Sequence, residues 1–390
     1  MKILHVIGAF DKKLGGTYSA ILSIIRIEKA LGFDNEVLSL VSNGQEYDSE
    51  LDELVHLFPP SFPYMFSNSL RADNWMTKNI SRFSLVIIHE VWGATAIKAA
   101  HKAHRNNIPY VIWPHGSLDP FDLQKKRLLK KHLASKFVKS VICNAAAICC
   151  TSKLEGNLLQ TYNEPNGNIY TLPLPINYEG KGNRQAFRER HKIGKKDFVL
   201  LFLSRVDYKK GLDLLLKAVQ MFIDRSWTYN TRILIAGKGS ESYETYIKFL
   251  VKDFQIEKYV IFGGFLSGQD KADAYAGADC FVLPSMNENY GIAVIESLQS
   301  GLPVLISDNV YIWEDIVPDG GWVCKHQIES IYAQIIEIHK AFLSREIEDK
   351  DPVAVGNKFN QESLMPLYAA FYDRMLHKRS QPVINQELFI

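Results

Sequence analysis

The chain of 390 residues lacks any apolar run near the ~20 residues needed to cross a bilayer, so no helical span is predicted. It has no CxxC pair either. Its five cysteines, Cys143, Cys149, Cys150, Cys280 and Cys324, lie mostly in apolar, strand-like runs and read as reduced core residues, which points to a reducing cytoplasm. No GxGxxG follows the first apolar run, so a dinucleotide is not indicated. An excess of either charge is lacking: 45 Lys and Arg against 43 Asp and Glu give a net charge of +2, which argues against a general nucleic-acid binder. The run from Met1 to Gly8 is too short for a secretory segment before Asp11, Lys12 and Lys13, and reads as a buried strand. One local absence stands out. Between Leu123 and Leu154 there is no acidic residue, while seven lysines and arginines occur from Lys125 to Lys139. What remains is ordinary for a globular chain, 47% hydrophobic and 23% charged, and its length predicts two domains.

Residues 281–306, FVLPSMNENYGIAVIESLQSGLPVLI, organise the rest. Phe281 to Leu283 is a short apolar strand broken by Pro284 and Ser285; a polar loop follows to Gly291. Ile292, Val294, Ile295 and Leu298 then carry helical spacing until Gly301, and Val304 to Ile306 opens the next strand. Two carboxylates stand eight positions apart, Glu288 in the loop and Glu296 in the helix. A helix starting near Gly291 aims free N–H groups at that loop, so an anion can sit there with an acid on either side.

Upstream, Gly15-Gly16 separates the first strand from a helical pattern stopped by Gly32, and 37–41 reads as a second strand. Residues 43–78 read as an irregular polar and aromatic segment. The strand 85–88 ends in His89-Glu90, and 110–113 ends in Pro114-His115-Gly116. In open α/β sheets the carboxyl ends of strands face the ligand crevice, so His89, Glu90 and His115 are candidate site residues. A lysine-rich helix is predicted over 124–141, with Lys125, Lys131, Lys136 and Lys139 on a basic side. Leu129, Leu133, Phe137 and Val141 form the apolar side meant for the core. Pro173, Pro175, Gly180 and Gly182 mark a linker. Beyond it, the strand 198–203 runs into Ser204-Arg205, with Lys210-Gly211 just before a helix. Strand 233–236 runs into Gly237-Lys238-Gly239, and 260–262 into Gly263-Gly264-Phe265-Leu266. Asp349-Lys350-Asp351 near the end reads as a solvated charge cluster, not a metal motif.

Pro284-Ser285, Glu288, Tyr290-Gly291 and Glu296, with Arg205 and Lys210 upstream, resemble the signature of the retaining family 4 nucleotide-sugar glycosyltransferases, and the strand-end Pro114-His115-Gly116 is similar to that of many bacterial surface-polysaccharide members. Asn289 stands where that family usually has glycine. The resemblance implies an α/β, GT-B fold: two Rossmann-like domains with parallel sheets facing a central cleft. Their predicted bounds are 1–178 on the acceptor side and 179–362 for the nucleotide-sugar donor, with 363–390 as a helix packing back on the first. It also implies site roles. Arg205 and Lys210 would hold the donor diphosphate, Glu288 the sugar and Glu296 the ribose. Gly237, Leu266, Tyr290, Gly291, Ile292 and Ala293 would line the nucleotide, with Gly15 and Gly16 approaching from the other domain. His115 would touch the donor sugar and add positive or donor character beside the phosphate. Apart from the resemblance, His89 and Glu90 at their strand end are read as acceptor-side residues.

The expected activity is therefore retaining transfer of a hexose-type sugar from a UDP- or GDP-sugar to a hydroxyl of a glycan or lipid-linked acceptor. No metal or other cofactor, and no nucleic acid, is expected to take part. Lys125, Lys131, Lys136 and Lys139 are expected to dock the cytoplasmic protein on an anionic membrane. The competing reading is a two-lobed sugar- or nucleotide-binding protein, or a silent GT-B subunit.

Overall fold

The computed structural model describes residues 1–42, 44–62, 66–119, 135–162, 168–226 and 230–377. The chain forms two compact units: Met1–Pro175 together with the chain from Leu364 onward, and Ile176–Ser363.

In the first unit the described residues form a parallel sheet of β1 (Lys2–Ile7), β2 (Asp34–Leu40), β3 (Val55–Phe58), β4 (Leu85–His89), β5 (Tyr110–Trp113), β6 (Ala147–Cys150) and β7 (Ile169–Thr171). Their order is β3-β2-β1-β4-β5-β6-β7. The central strands bury apolar residues on both faces, as a sheet covered by helices on each side requires: Leu4, Val86, Ile88 and Ile112 on one face, and Ile3, Ile87 and Val111 on the other, are all fully buried. The chain winds outward from β1 to β3, then returns to place β4 on the other side of β1. That reversal opens a crevice at the carboxyl ends of β1 and β4.

The second unit repeats the plan with β8 (Phe198–Leu203), β9 (Thr231–Ala236), β10 (Val260–Gly264), β11 (Cys280–Leu283), β12 (Val304–Ser307) and β13 (Gly321–Cys324). All pairings are parallel and the order is β10-β9-β8-β11-β12-β13, which puts its switch point between β8 and β11. The helix Gln361–His377 joins the first unit from Leu364 on. There the Tyr368 hydroxyl donates to the Pro173 carbonyl at 3.1 Å, and Phe371 meets Tyr170 edge-on at 5.4 Å.

Several local readings change. The supposedly irregular 43–78 contains β3 and the helix Leu70–Asn79, capped by Ser69, whose hydroxyl accepts from Ala72 N at 3.2 Å. Polar His56 hid β3, and it is there because Glu36 on β2 binds it at 2.8 Å. Of the lysine-rich helix, the described part is Ser135–Cys143, and Lys125 and Lys131 lie outside the described residues. Phe137, expected in the core, is 56% exposed; Val138, Val141 and Ile142 are buried instead. The Asp349-Lys350-Asp351 cluster is not merely solvated. Asp351 caps the helix Pro352–Asn357 by accepting from Ala354 N at 3.0 Å, and Lys350 donates to Pro318 O at 2.7 Å while lying over the Trp322 ring.

One buried ion cluster fastens the start of the second unit to its sheet. Asp279, just before β11, accepts from Arg184 at 2.5 Å, Arg188 at 2.8 Å and Val199 N at 2.8 Å. Arg188 is buried, so Asp279→Ala would leave a cation without its counter-charge; the expected loss is ~3–5 kcal/mol. Urea unfolding of the wild type, Asp279→Ala and Asp279→Asn checks this, the amide being the milder change because it keeps an oxygen for Val199 N.

Candidate functional site

The second unit's site is built where β8 and β11 end. After β8 a single turn, Tyr208–Lys210, is capped by Asp207, which accepts from Lys209 N at 3.0 Å. Gly211 closes that turn at φ +66°, and a Cβ there would lie 2.3 Å from the Pro284 carbonyl oxygen. Glycine thus lets the β8 loop lie directly against the exit of β11. Met286 N donates to Lys209 O at 2.7 Å across the same seam. The consequence is that Lys210, 8% exposed, forms an ion pair with Glu288. Glu288 is itself held by its backbone, whose N–H donates to Asn309 O and whose carbonyl accepts from Tyr311 N, both at 3.0 Å. Arg205 is exposed and makes no ion pair among the described residues. Gly237, at φ +134°, acts through its backbone, since a Cβ there would sit 1.8 Å from Ser204 O. Next to it Val206 N donates to Lys238 O at 3.0 Å, bracing the Arg205 loop.

The helix Ile292–Gln299 starts at Gly291, whose φ of +77° turns the chain into the helix without a side-chain cap. The N–H groups of Ile292 and Ala293 therefore have no acceptor among the described residues, and both residues are half-buried. Because the left-handed residue is Gly291, Asn289 fits where the family has glycine; its φ is not positive. Tyr290, expected at the nucleotide, is buried edge-on to Phe359 at 6.2 Å and anchors the loop from below. Leu266 is half-buried after the end of β10, beside exposed Phe265. Glu296 Oε2 accepts from Lys271 Nζ at 2.5 Å and from the Tyr275 hydroxyl at 3.0 Å. Burial, then the Glu296 charge, pushes the Tyr275 hydroxyl well up, so it stays a donor. Lys271 was not anticipated. Its signal is only its position in a helix, Gly268–Gly277, that sequence reasoning passed over.

In the first unit Gly15 takes φ +61° and starts the helix Gly16–Ala30 with no side-chain cap. Nothing lies within 4 Å of a Cβ built at Gly15 or Gly16, so this helix terminus is open. His115 follows β5 at φ +49°, its turn pinned by Glu155, which accepts from Gly116 N at 3.0 Å and Thr151 N at 2.7 Å. Burial lowers the His115 pKa to about 4, so the ring is neutral at pH 7; the expected positive character is absent there. His89 also differs from expectation. It is fully buried, and its two nitrogens engage His115 and His5, each at 2.9 Å, so it has no free ring nitrogen for an acceptor. Glu90, at φ +69°, is the residue that reaches the crevice: it is partly exposed beside Gly8, and burial raises its pKa. His5 and Glu28 were missed. Their trace in sequence is a histidine within the apolar run of β1 and a glutamate in line with the apolar stripe Ile21, Ile24 and Ile25 of the helix. Lys139 is exposed, and the Lys136 side chain lies outside the described residues. Among the described residues no group of three or more His, Cys, Asp or Glu could hold a metal ion, and no helix is long and apolar enough to cross a membrane.

Two doubly wound parallel sheets, one in each unit, make the fold that of GT-B. Residues 15–179 match the model described as Glycosyltransferase Family 4, and residues 183–346 match Glycosyl transferases group 1. The chain belongs to the family 4, group 1 glycosyltransferases. Mannosylfructose-phosphate synthase of Agrobacterium fabrum is 24% identical over 77% of this chain and 72% of its own. Alpha-monoglucosyldiacylglycerol synthase of Streptococcus pneumoniae is 26% identical over 60% of this chain, which spans only 51% of that relative's length. The fold is similar to that of Anabaena HepE, solved in complex with UDP and glucose: TM-score 0.75, 15% identity, 96% of this chain and 100% of that one.

His115 makes stability depend on pH. Its pKa is about 4 when folded against an ordinary ~6.5, so the unfolded chain takes up the proton first as pH falls. The contribution is complete above about pH 6.5 and is lost as pH falls toward 4. Urea midpoints across that window should fall less steeply for His115→Gln than for wild type.

Proposed function

We propose that the protein transfers a hexose-type sugar from a nucleoside-diphosphate sugar to a hydroxyl of a glycan or lipid-linked acceptor, with retention and without a metal. The observation that carries this is the grouping at the ends of β8 and β11. Two cations, Arg205 and Lys210, and the open N–H groups of Ile292 and Ala293 are flanked by Glu288 and Glu296. The leaving diphosphate gathers negative charge while the sugar carbon becomes oxocarbenium-like. Fixed cations and helix N–H groups meet the first demand without reorganising. Donor binding exchanges the Lys210–Glu288 pair for two others: Lys210 with phosphate, and Glu288 with sugar hydroxyls. Glu296 keeps Oε2 on Lys271 and Tyr275 and turns Oε1 to the ribose. Gly237 and Leu266 frame the nucleotide by their backbones. Same-face attack, with a phosphate oxygen taking the acceptor's proton, accounts for retention without a covalent nucleophile. In the first unit His115 orients a substrate hydroxyl and Glu90 serves the acceptor. The HepE complex with UDP and glucose supports a nucleotide-sugar donor.

The test is nucleotide release from a panel of UDP-, GDP- and ADP-sugars with and without acceptor, repeated in EDTA. Acceptor-dependent release that survives chelation is expected, while Arg205→Ala and Lys210→Ala should each lower the rate ~10²–10³-fold. Binding without turnover would favour the silent, two-lobed reading, and variants within twofold of wild type would sink the phosphate roles.

A lipid-linked acceptor would bring the protein to a membrane, and the exposed pair Phe137 and Lys139 on Ser135–Cys143 suits such a surface, with Lys125, Lys131 and Lys136 adding charge. Each basic residue contributes ~1 kcal/mol near anionic lipid. Co-sedimentation with anionic liposomes should be strong at low salt for wild type and weak for a Lys131, Lys136, Lys139→Glu triple variant; equal binding by both would remove the membrane from the proposal.

A further inference from the structure

A line of buried polar groups runs through the core of the first unit. His5 in the middle of β1, His89 at the end of β4 and His115 after β5 stack nearly parallel, with ring centroids 5.2 and 5.1 Å apart. Their nitrogens join head to tail: His5 Nδ1 to His89 Nε2 at 2.9 Å, and His89 Nδ1 to His115 Nε2 at 2.9 Å. At the inner end His5 Nε2 lies 2.8 Å from Glu28 Oε2 and 3.3 Å from Asn35 Oδ1. The other Glu28 oxygen, Oε1, accepts from the Tyr372 hydroxyl. His5, Glu28, His89 and Tyr372 are all fully buried. An apolar strand would fill this space with no desolvation cost, so the polar line needs a reason.

The proton positions follow from the acceptors. Two oxygens face His5 Nε2, so that nitrogen carries the proton and, in a neutral ring, Nδ1 is bare. His89 must then donate from Nε2, which leaves its own Nδ1 bare. His115 in turn must donate from Nε2, and its Nδ1, the nitrogen that no protein group occupies among the described residues, is left with a lone pair. We propose that Glu28, His5 and His89 are positioning residues whose hydrogen-bond chain locks His115 in the tautomer with a bare Nδ1, so that it offers substrate only an acceptor for a hydroxyl. The lock rests on this geometry; its use in turnover rests on the glycosyl transfer proposed above. Without it the two neutral tautomers of His115 would compete, and one of them would present an N–H to that hydroxyl in place of the lone pair.

Glu28→Gln tests the lock at a distance of three rings from the substrate side. It keeps shape and the Tyr372 contact, but its amide can present either an oxygen or an N–H to His5 Nε2, so the order of protons is no longer imposed. Histidine ring nitrogens are observed by 15N NMR in the full chain, with His115 assigned by difference against His115→Gln. Wild type should show a bare, pyridine-like Nδ1 and a protonated Nε2 at His115. Glu28→Gln should show a mixture, and its kcat should fall about tenfold with KM little changed. Tyr372→Phe, which removes one donor but keeps the carboxylate, should retain both the wild-type tautomer and the wild-type kcat. A protonated Nδ1 in wild type, or an unchanged tautomer in Glu28→Gln, overturns the lock. A mixed tautomer with unchanged kcat makes the chain a core network alone and also overturns the proposal. Absence of transfer by wild type counts against the proposed reaction, and the NMR comparison still decides the lock.

Discussion

The contact between the Lys210 ammonium and the Glu288 carboxylate ties together the two loops on which the second unit's candidate site depends. Neither side chain could reach the other if the β8 loop stood away from β11, and it can lie close only because Gly211 has no Cβ to strike the Pro284 carbonyl. Around that contact the backbone of Glu288 is fixed to Asn309 and Tyr311, and Gly237 braces the Arg205 loop. A preorganised site results, in which charges are held by the same backbone approaches that close the sheet. Because the pair is partly buried, each charge offsets the desolvation of the other.

The same compensation of buried polar groups governs the first unit. Behind the central strands β1, β4 and β5 the buried polar groups form one line, where Glu28, His5, His89 and His115 satisfy one another. Desolvation keeps His115 neutral at pH 7, and the carboxylate at the far end sets which nitrogen carries each proton. Tyr372, on the helix Gln361–His377, donates to the other Glu28 oxygen, so a residue near the end of the chain packs against a carboxylate near its beginning without setting the order of the protons.

Strand positions and element type were largely legible, because buried parallel strands write themselves as continuous apolar runs separated by helical periods. The reading failed where a polar residue stood inside an element. His56 concealed β3, and the charged tail concealed the helix that Asp351 caps. Phe137 was misassigned to the core since periodicity alone does not say which neighbour a helix will find.

By itself the sequence determined the two doubly wound units and the family, through Glu288, Glu296, Arg205 and Lys210 placed just after apolar strands, because spacing along the chain fixes which loop a residue occupies. Tertiary structure alone decided which of those groups touch. It paired Lys210 with Glu288 and Lys271 with Glu296, buried His89 away from any acceptor, and joined His5 and Glu28 to His115 across 23 to 84 positions of chain per contact. The physical reason is that hydrogen bonds and ion pairs act over about 3 Å and depend on burial, and neither quantity exists until distant strands and helices are packed together.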